Sequence, residues 1–135
     1  MRISFEKIYM DFAESIAQRS YDPTLKVGCV ITSTDFRYVY GLGYNGNYVG
    51  GPNRRDSLKP GESQLLHSEI NAIINCATPR HYKKYVFVTH VPCTMCSKAL
   101  INMGGVEKVF YKNDYRDKKG LSLLRKCGIK VKKVR

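Results

Sequence analysis

Apolar side chains recur near the N-terminus at helical spacing. Phe5, Ile8, Phe12 and Ile16 share one face, Ser4 can cap it, and Glu6 suits its first turn. The pattern predicts a helix over residues 4–19, broken by Asp22-Pro23. The period then shortens. Residues 26–32 and 38–44 are rich in β-forming side chains, and the turn cluster Ser33-Thr34-Asp35 between them predicts a hairpin. Residues 45–63 show no period and hold Gly50-Gly51-Pro52 and Lys59-Pro60-Gly61. A structureless loop this long inside a small domain is usually functional, as a lid or a binding loop.

Helical spacing returns at Leu66, Ile70, Ile73, Ile74 and Ala77, predicting a helix over 64–77 that Thr78-Pro79 ends. Tyr85-Val86-Phe87-Val88-Thr89 is a continuous apolar run, the mark of a strand buried on both faces. A helix over 94–103 closes at Gly104-Gly105, a strand covers 106–111, a helix over 119–127 closes at Gly128, and a last strand covers 129–134. The second half therefore alternates strand, helix, strand, helix, strand, which implies parallel pairs joined by right-handed crossovers. The expected fold is α/β, a three-layer α/β/α sandwich whose five-stranded mixed sheet carries helices on both faces. One domain spanning 1–135 accounts for the whole chain, without internal repeats.

Composition narrows the class without naming a function. Hydrophobic residues at 43% and charged residues at 25% are ordinary for a globular protein and exclude general disorder. No run approaches the ~18 apolar residues of a membrane span, and Glu6 interrupts any secretory leader, so the expected location is cytoplasmic. Lysine and arginine number 23 against 11 acidic residues, a net charge of +12. Such an excess attracts polyanions. Much of it falls in Lys118-Lys119, Arg125-Lys126, Lys130, Lys132, Lys133 and Arg135. A solvated rim, an oligomer surface and an anion site all remain open readings. The aromatic interleaving of an RNA-binding sheet is missing, so nucleic acid is not the expected partner.

Five cysteines, an odd number, do not form a disulfide framework in such a chain. Cys29, Cys76 and Cys127 read as core filler. Cys93 and Cys96 differ, because Pro92-Cys93-Thr94-Met95-Cys96 opens the helix after the buried strand. Their spacing puts both sulfurs on one side of a helical turn, and a helix N-terminus favours thiolates. His67-Ser68-Glu69 opens the preceding helix. One nitrogen and two sulfurs suit zinc. Three ligands leave a position for water, as in a catalytic site, with Glu69 placed beside the metal as general acid–base. A structural zinc would instead need a fourth ligand from His81, His90, Cys76 or Cys127. His90 precedes Pro92 at a strand end and is expected to face elsewhere.

With those motifs in view, the chain resembles the cytidine deaminase-like superfamily, whose zinc nucleobase deaminases carry H-x-E followed by P-C-x-x-C. It is similar in particular to deoxycytidylate (dCMP) deaminases. The resemblance runs from Arg19-Ser20-Tyr21-Asp22-Pro23-Thr24-Leu25-Lys26-Val27-Gly28 through Gly43-Tyr44-Asn45-Gly46 and His67-Ser68-Glu69-Ile70-Asn71-Ala72-Ile73 to the Pro92–Cys96 segment. It ends in Val109-Phe110-Tyr111, Asp114-Tyr115 and Gly120-Leu121. Two departures stand out. Ser68 replaces the usual alanine of H-A-E, and residues 46–66 hold no cysteine or histidine, so the second metal of some relatives is not expected.

The resemblance implies hydrolytic deamination of dCMP to dUMP with one catalytic Zn²⁺ per chain, held by His67, Cys93 and Cys96, and Glu69 moving protons. It assigns Asn45 to the sugar or base. Arg19, Ser20 and Lys26 are candidates for the phosphate, and Tyr115 is a further substrate-binding candidate. It also implies a homo-oligomer, often a hexamer, activated by dCTP and inhibited by dTTP with Mg²⁺, through Gly43, Tyr44, Asn45 and Gly46. A dCTP deaminase stays open, since a triphosphate could extend into the basic rim. A tRNA adenosine deaminase would explain the charge, but those enzymes lead into the catalytic helix with G-R-H-D-P-T-A-H-A-E, where this chain has Gly61-Glu62-Ser63-Gln64-Leu65-Leu66-His67. A zinc-stabilised RNA-binding module would leave Glu69 without a role.

Overall fold

The hydroxyl of Ser4 accepts the Lys7 amide at 3.1 Å and starts the first helix, α1 (Phe5–Ala17), where the spacing predicts it. The computed structural model describes residues 1–115 and 117–135. After α1 come β1 (Gly28–Ser33), β2 (Val39–Tyr44), α2 (Ser68–Ile74), β3 (Lys84–His90), α3 (Thr94–Met103), β4 (Val106–Asn113), α4 (Lys119–Lys126) and β5 (Lys130–Lys133).

The strands form one sheet in the order β2-β1-β3-β4-β5. β1 pairs antiparallel with both β2 and β3, while β3–β4 and β4–β5 are parallel. The mixed sheet is thus the expected one. Its pleat sorts the core into two layers, because successive side chains point to opposite faces. Val30, Phe87 and Phe110 meet Met10 and Ala13 of α1 on one face, where the rings of Phe87 and Phe110 stack at 4.5 Å. Cys29, Ile31, Val86, Val88 and Val109 meet Ala72, Leu100, Leu121 and Leu124 of the other three helices on the second face. Fully burying side chains of this size stabilises the fold by about 1.5–3 kcal/mol each.

Two expectations need correction. The helix read over 64–77 is shorter, Ser68–Ile74. Gln64 has φ 59, and Leu66 pairs with Gly46 in an isolated bridge, so the apolar residues before His67 belong to the loop. Cys127 is exposed, and therefore not core filler, whereas Cys29 is fully buried.

One glycine sets the position of α2. A Cβ at Gly43 would lie 2.4 Å from the Ala72 amide nitrogen and 2.6 Å from the Ser68 carbonyl oxygen. Only glycine lets β2 approach the α2 backbone this closely. The G-Y-N-G element thereby holds the helix that begins at His67. Among the described residues, no helix is long and apolar enough to cross a membrane.

Candidate metal centre and active site

Two helix N-termini meet to make the site. His67 is the N-cap of α2 and Cys93 the N-cap of α3, and the Cys93 Sγ accepts the Cys96 amide at 3.4 Å. The crossover from β3 brings α3 beside α2, so residues 26 positions apart in sequence converge. His67 Nδ1 lies 3.2 Å from Cys96 Sγ and 3.5 Å from Cys93 Sγ. All three donor atoms fall within 4.8 Å of one another. Zinc bonds of about 2.3 Å to sulfur and about 2.0 Å to nitrogen imply donor separations of roughly 3.5–3.8 Å in a tetrahedral site. The donor set fits zinc in both chemistry and spacing. Among the described residues no other group of three such donors gathers.

The electrostatics suit a metal. Without one, a hydrogen bond from Cys96 and the neighbouring His67 outweigh burial and hold the Cys93 thiol down at about 4. The Cys96 thiol moves the other way, because it gives its proton to Cys93 and is itself buried. The Cys93 sulfur in turn holds the His67 imidazole pKa above its usual value. A cation at the three donors replaces this shared proton and leaves both sulfurs as thiolates.

Glu69 is 4% exposed and lies in the first turn of α2. Its Oε1 accepts the Ser68 hydroxyl at 2.7 Å, and burial raises its carboxyl pKa above the usual range. The serine that departs from H-A-E thus fixes the carboxylate's orientation. A cavity of about 470 Å³ opens beside these groups, lined by His67, Glu69 and Cys93 at one part and by Asn45, Arg55 and Tyr115 at others.

Of the remaining candidates, Asn45 and Tyr115 line this cavity, and Arg19, Ser20 and Lys26 do not. Arg19 and Lys26 are exposed, while the buried Ser20 donates its hydroxyl to the Asn45 carbonyl at 2.9 Å. Asn45 accepts the Val27 amide at 2.9 Å and donates to the Leu25 carbonyl at 2.8 Å and to Asp22 at 3.3 Å. Its side chain shapes the wall formed by the turn after α1. Among the lining residues that the sequence reading did not assign to the site are Arg55 and His90. Arg55 comes from the long loop, where nothing in the local pattern marks it. His90 was expected to face elsewhere and instead lines the cavity, because β3 runs on to it before the chain turns into Pro92.

Comparison with known proteins agrees with this geometry. The family model described as the cytidine and deoxycytidylate deaminase zinc-binding region matches residues 3–113. The chain is 33% identical to ComE operon protein 2 of Bacillus subtilis (strain 168), over 98% of this chain and 72% of that one. It is 31% identical to deoxycytidylate deaminase of Mus musculus, over 85% of this chain and 68% of that one. The solved structure of dCMP deaminase from the cyanophage S-TIM5, in complex with dCMP and dUMP, matches with a TM-score of 0.86 at 30% identity, covering 99% of both chains. Fold and donor set together define a zinc-binding deaminase domain. The chain belongs to the cytidine and deoxycytidylate deaminase family.

Proposed function

We propose that the protein hydrolyses dCMP to dUMP and ammonia with one zinc ion per chain, held by His67, Cys93 and Cys96. The observation that carries this reading is the buried Glu69 carboxylate, two residues past His67 and on the wall of the same cavity as His67 and Cys93. The phage relative, which contains dCMP and dUMP, supports the choice of substrate. Zinc at the three donors supplies the Lewis acidity that makes water nucleophilic at neutral pH. Glu69 takes one proton from the attacking water and delivers it to N3 of the cytosine ring, then carries the remaining proton from the new C4 hydroxyl to the C4 amino group as the carbonyl of dUMP forms. The C4–N bond breaks and ammonia leaves. Ser68 keeps the carboxylate aimed through that exchange. Asn45 and Tyr115 form the wall against which the nucleoside lies.

Arg55 is the one lysine or arginine lining the cavity among the described residues. The phosphate reading therefore falls on Arg55 rather than on Arg19, Ser20 or Lys26. Each charge-assisted bond to a phosphate contributes roughly 1.5–3 kcal/mol, or 10-fold and more in affinity. Ammonia release from dCMP, dCTP and deoxycytidine, measured side by side, tests this. The expected order puts dCMP at least 10-fold above deoxycytidine in kcat/KM. Equal values for nucleotide and nucleoside would remove the phosphate contact.

A homo-oligomer, up to a hexamer, acting in the cytoplasm completes the reading. Exposed Leu66, Ile74 and Met95, on or beside the two helices of the metal site, supply apolar surface for it. Control by dCTP and dTTP at Gly43, Tyr44, Asn45 and Gly46 rests on family resemblance, and nothing in the geometry supports Mg²⁺. Initial rates against dCMP with each triphosphate present test that control.

A further inference from the structure

The end of β3 carries a short hydrogen-bond chain. Thr89 Oγ1 accepts the Gly28 amide at 3.2 Å and lies 2.9 Å from His90 Nδ1. Thr89 is 2% exposed, and a hydroxyl has one hydrogen to give. The Gly28 amide occupies one lone pair of the oxygen, and among the described residues the hydroxyl hydrogen has no acceptor but His90 Nδ1, so the group is fully satisfied only when it donates there. Nδ1 is then an acceptor, and the single proton of the neutral imidazole sits on Nε2. Burial lowers the His90 pKa against an opposing effect of Glu14, which favours this neutral ring.

His90 lines the cavity together with Glu69, Asn45 and Tyr115, and stands three residues before Cys93. Among the described residues Nε2 has no hydrogen-bond partner. The same cavity wall holds the carboxylates of Asp22, Glu69 and Asp117. A neutral donor there reads an oxygen by direction rather than by charge.

We propose that His90 Nε2–H donates a hydrogen bond to an acceptor oxygen of the nucleotide, and that Thr89 keeps the ring in the donor tautomer. His90 is then a specificity residue, and Thr89 its positioning residue. The inference rests on deamination of dCMP as the activity.

The test uses the zinc-loaded protein and the variants His90→Leu, His90→Gln and Thr89→Val. His90→Leu should raise KM for dCMP about 3- to 10-fold, the weight of one neutral hydrogen bond, with a smaller change in kcat. His90→Gln, which offers an amide donor, should recover part of that loss. An equal loss on deoxycytidine places the oxygen on the base or sugar, and a loss confined to dCMP places it on the phosphate. Ring ¹⁵N shifts should show a protonated Nε2 and an unprotonated Nδ1 in the wild type, with Nε2 moving on titration with dUMP, and a weaker preference in Thr89→Val. A protonated Nδ1 in the wild type would overturn the proposal, as would an unchanged KM for both substrates in His90→Leu. A wild type without dCMP deaminase activity would sink the functional reading itself. The response of Nε2 to dUMP would still decide the contact.

Discussion

Arg55 and Asp22 form a buried ion pair in the wall of the cavity beside Glu69: Nη1 lies 3.3 Å from Oδ1, with the side chains 7% and 8% exposed. The same guanidinium donates to the Ser57 carbonyl at 2.9 Å and to the Lys59 carbonyl at 3.2 Å, so it also folds its own loop. Asp22 Oδ1 accepts the Thr24 amide at 2.9 Å. One pair thus fastens the long loop to the turn that follows α1.

Removing Arg55 should loosen this loop and leave Asp22 as an uncompensated carboxylate. Breaking a buried pair costs about 3–5 kcal/mol when the partner charge stays buried. Arg55→Ala should therefore speed proteolysis within residues 46–66 and raise KM for dCMP by roughly 10-fold or more. Asp22→Asn combined with Arg55→Ala should cost less stability than the sum of the two single changes, since the two share one interaction. Strictly additive losses would show that the pair is not coupled.

Gly120 should be as necessary as a ligand, although it binds nothing. A Cβ there would lie 2.1 Å from the Pro92 carbonyl oxygen and 2.6 Å from Ser97 Oγ. In an open helix Gly→Ala stabilises by about 1 kcal/mol. Here the added methyl should push the Pro92–Cys93 segment, cost roughly 1–3 kcal/mol by overpacking and weaken zinc retention. Thermal unfolding and zinc loss to a competing chelator measure both effects. A raised Tm with unchanged zinc affinity would contradict the packing argument.

Metal removal should expose one reactive sulfur. In the zinc-free protein the Cys93 thiol titrates at about 4, far below the usual ~8.5 of a free cysteine. Its thiolate is present above that value, so alkylation of Cys93 should be at its plateau by pH 6 and fall only as the pH drops towards 4. Added zinc should protect Cys93 and raise Tm, because only the folded state gathers all three donors. Peptide mapping of the labelled protein reads the result. Labelling of Cys93 that rises only near pH 8 would contradict the arrangement of the two sulfurs.

Local signals carried most of the fold. The period of Phe5, Ile8 and Phe12 located α1, although Phe5 and Ile8 are exposed and the residues it buries are Met10, Ala13 and Ala17. The apolar run at 85–89 and the alternation of the second half located the sheet and the other helices, since burial demands those patterns. The donors that the structure gathers, His67, Cys93 and Cys96, were legible because each motif lies at one helix N-terminus. What escaped depends on contacts distant in sequence. Arg55 and Asp22 meet 33 positions apart, and no local pattern announces such a pair. The start of α2 differs from the expected one because Leu66 continues its apolar spacing, although that residue bridges to Gly46. The facing of His90 depends on how far β3 runs beyond Thr89, which composition does not encode.

The central claim is that Glu69 moves protons and does not hold the metal. Glu69→Gln keeps the size and hydrogen-bonding shape of the side chain while removing its acid–base chemistry. Zinc content and initial rates of ammonia release from dCMP should be measured on the same preparation of wild type and variant. About one zinc per chain should remain in the variant while kcat falls at least 10²–10⁴-fold, the scale of general acid–base catalysis. A variant that keeps its zinc and deaminates dCMP at the wild-type rate would contradict the account.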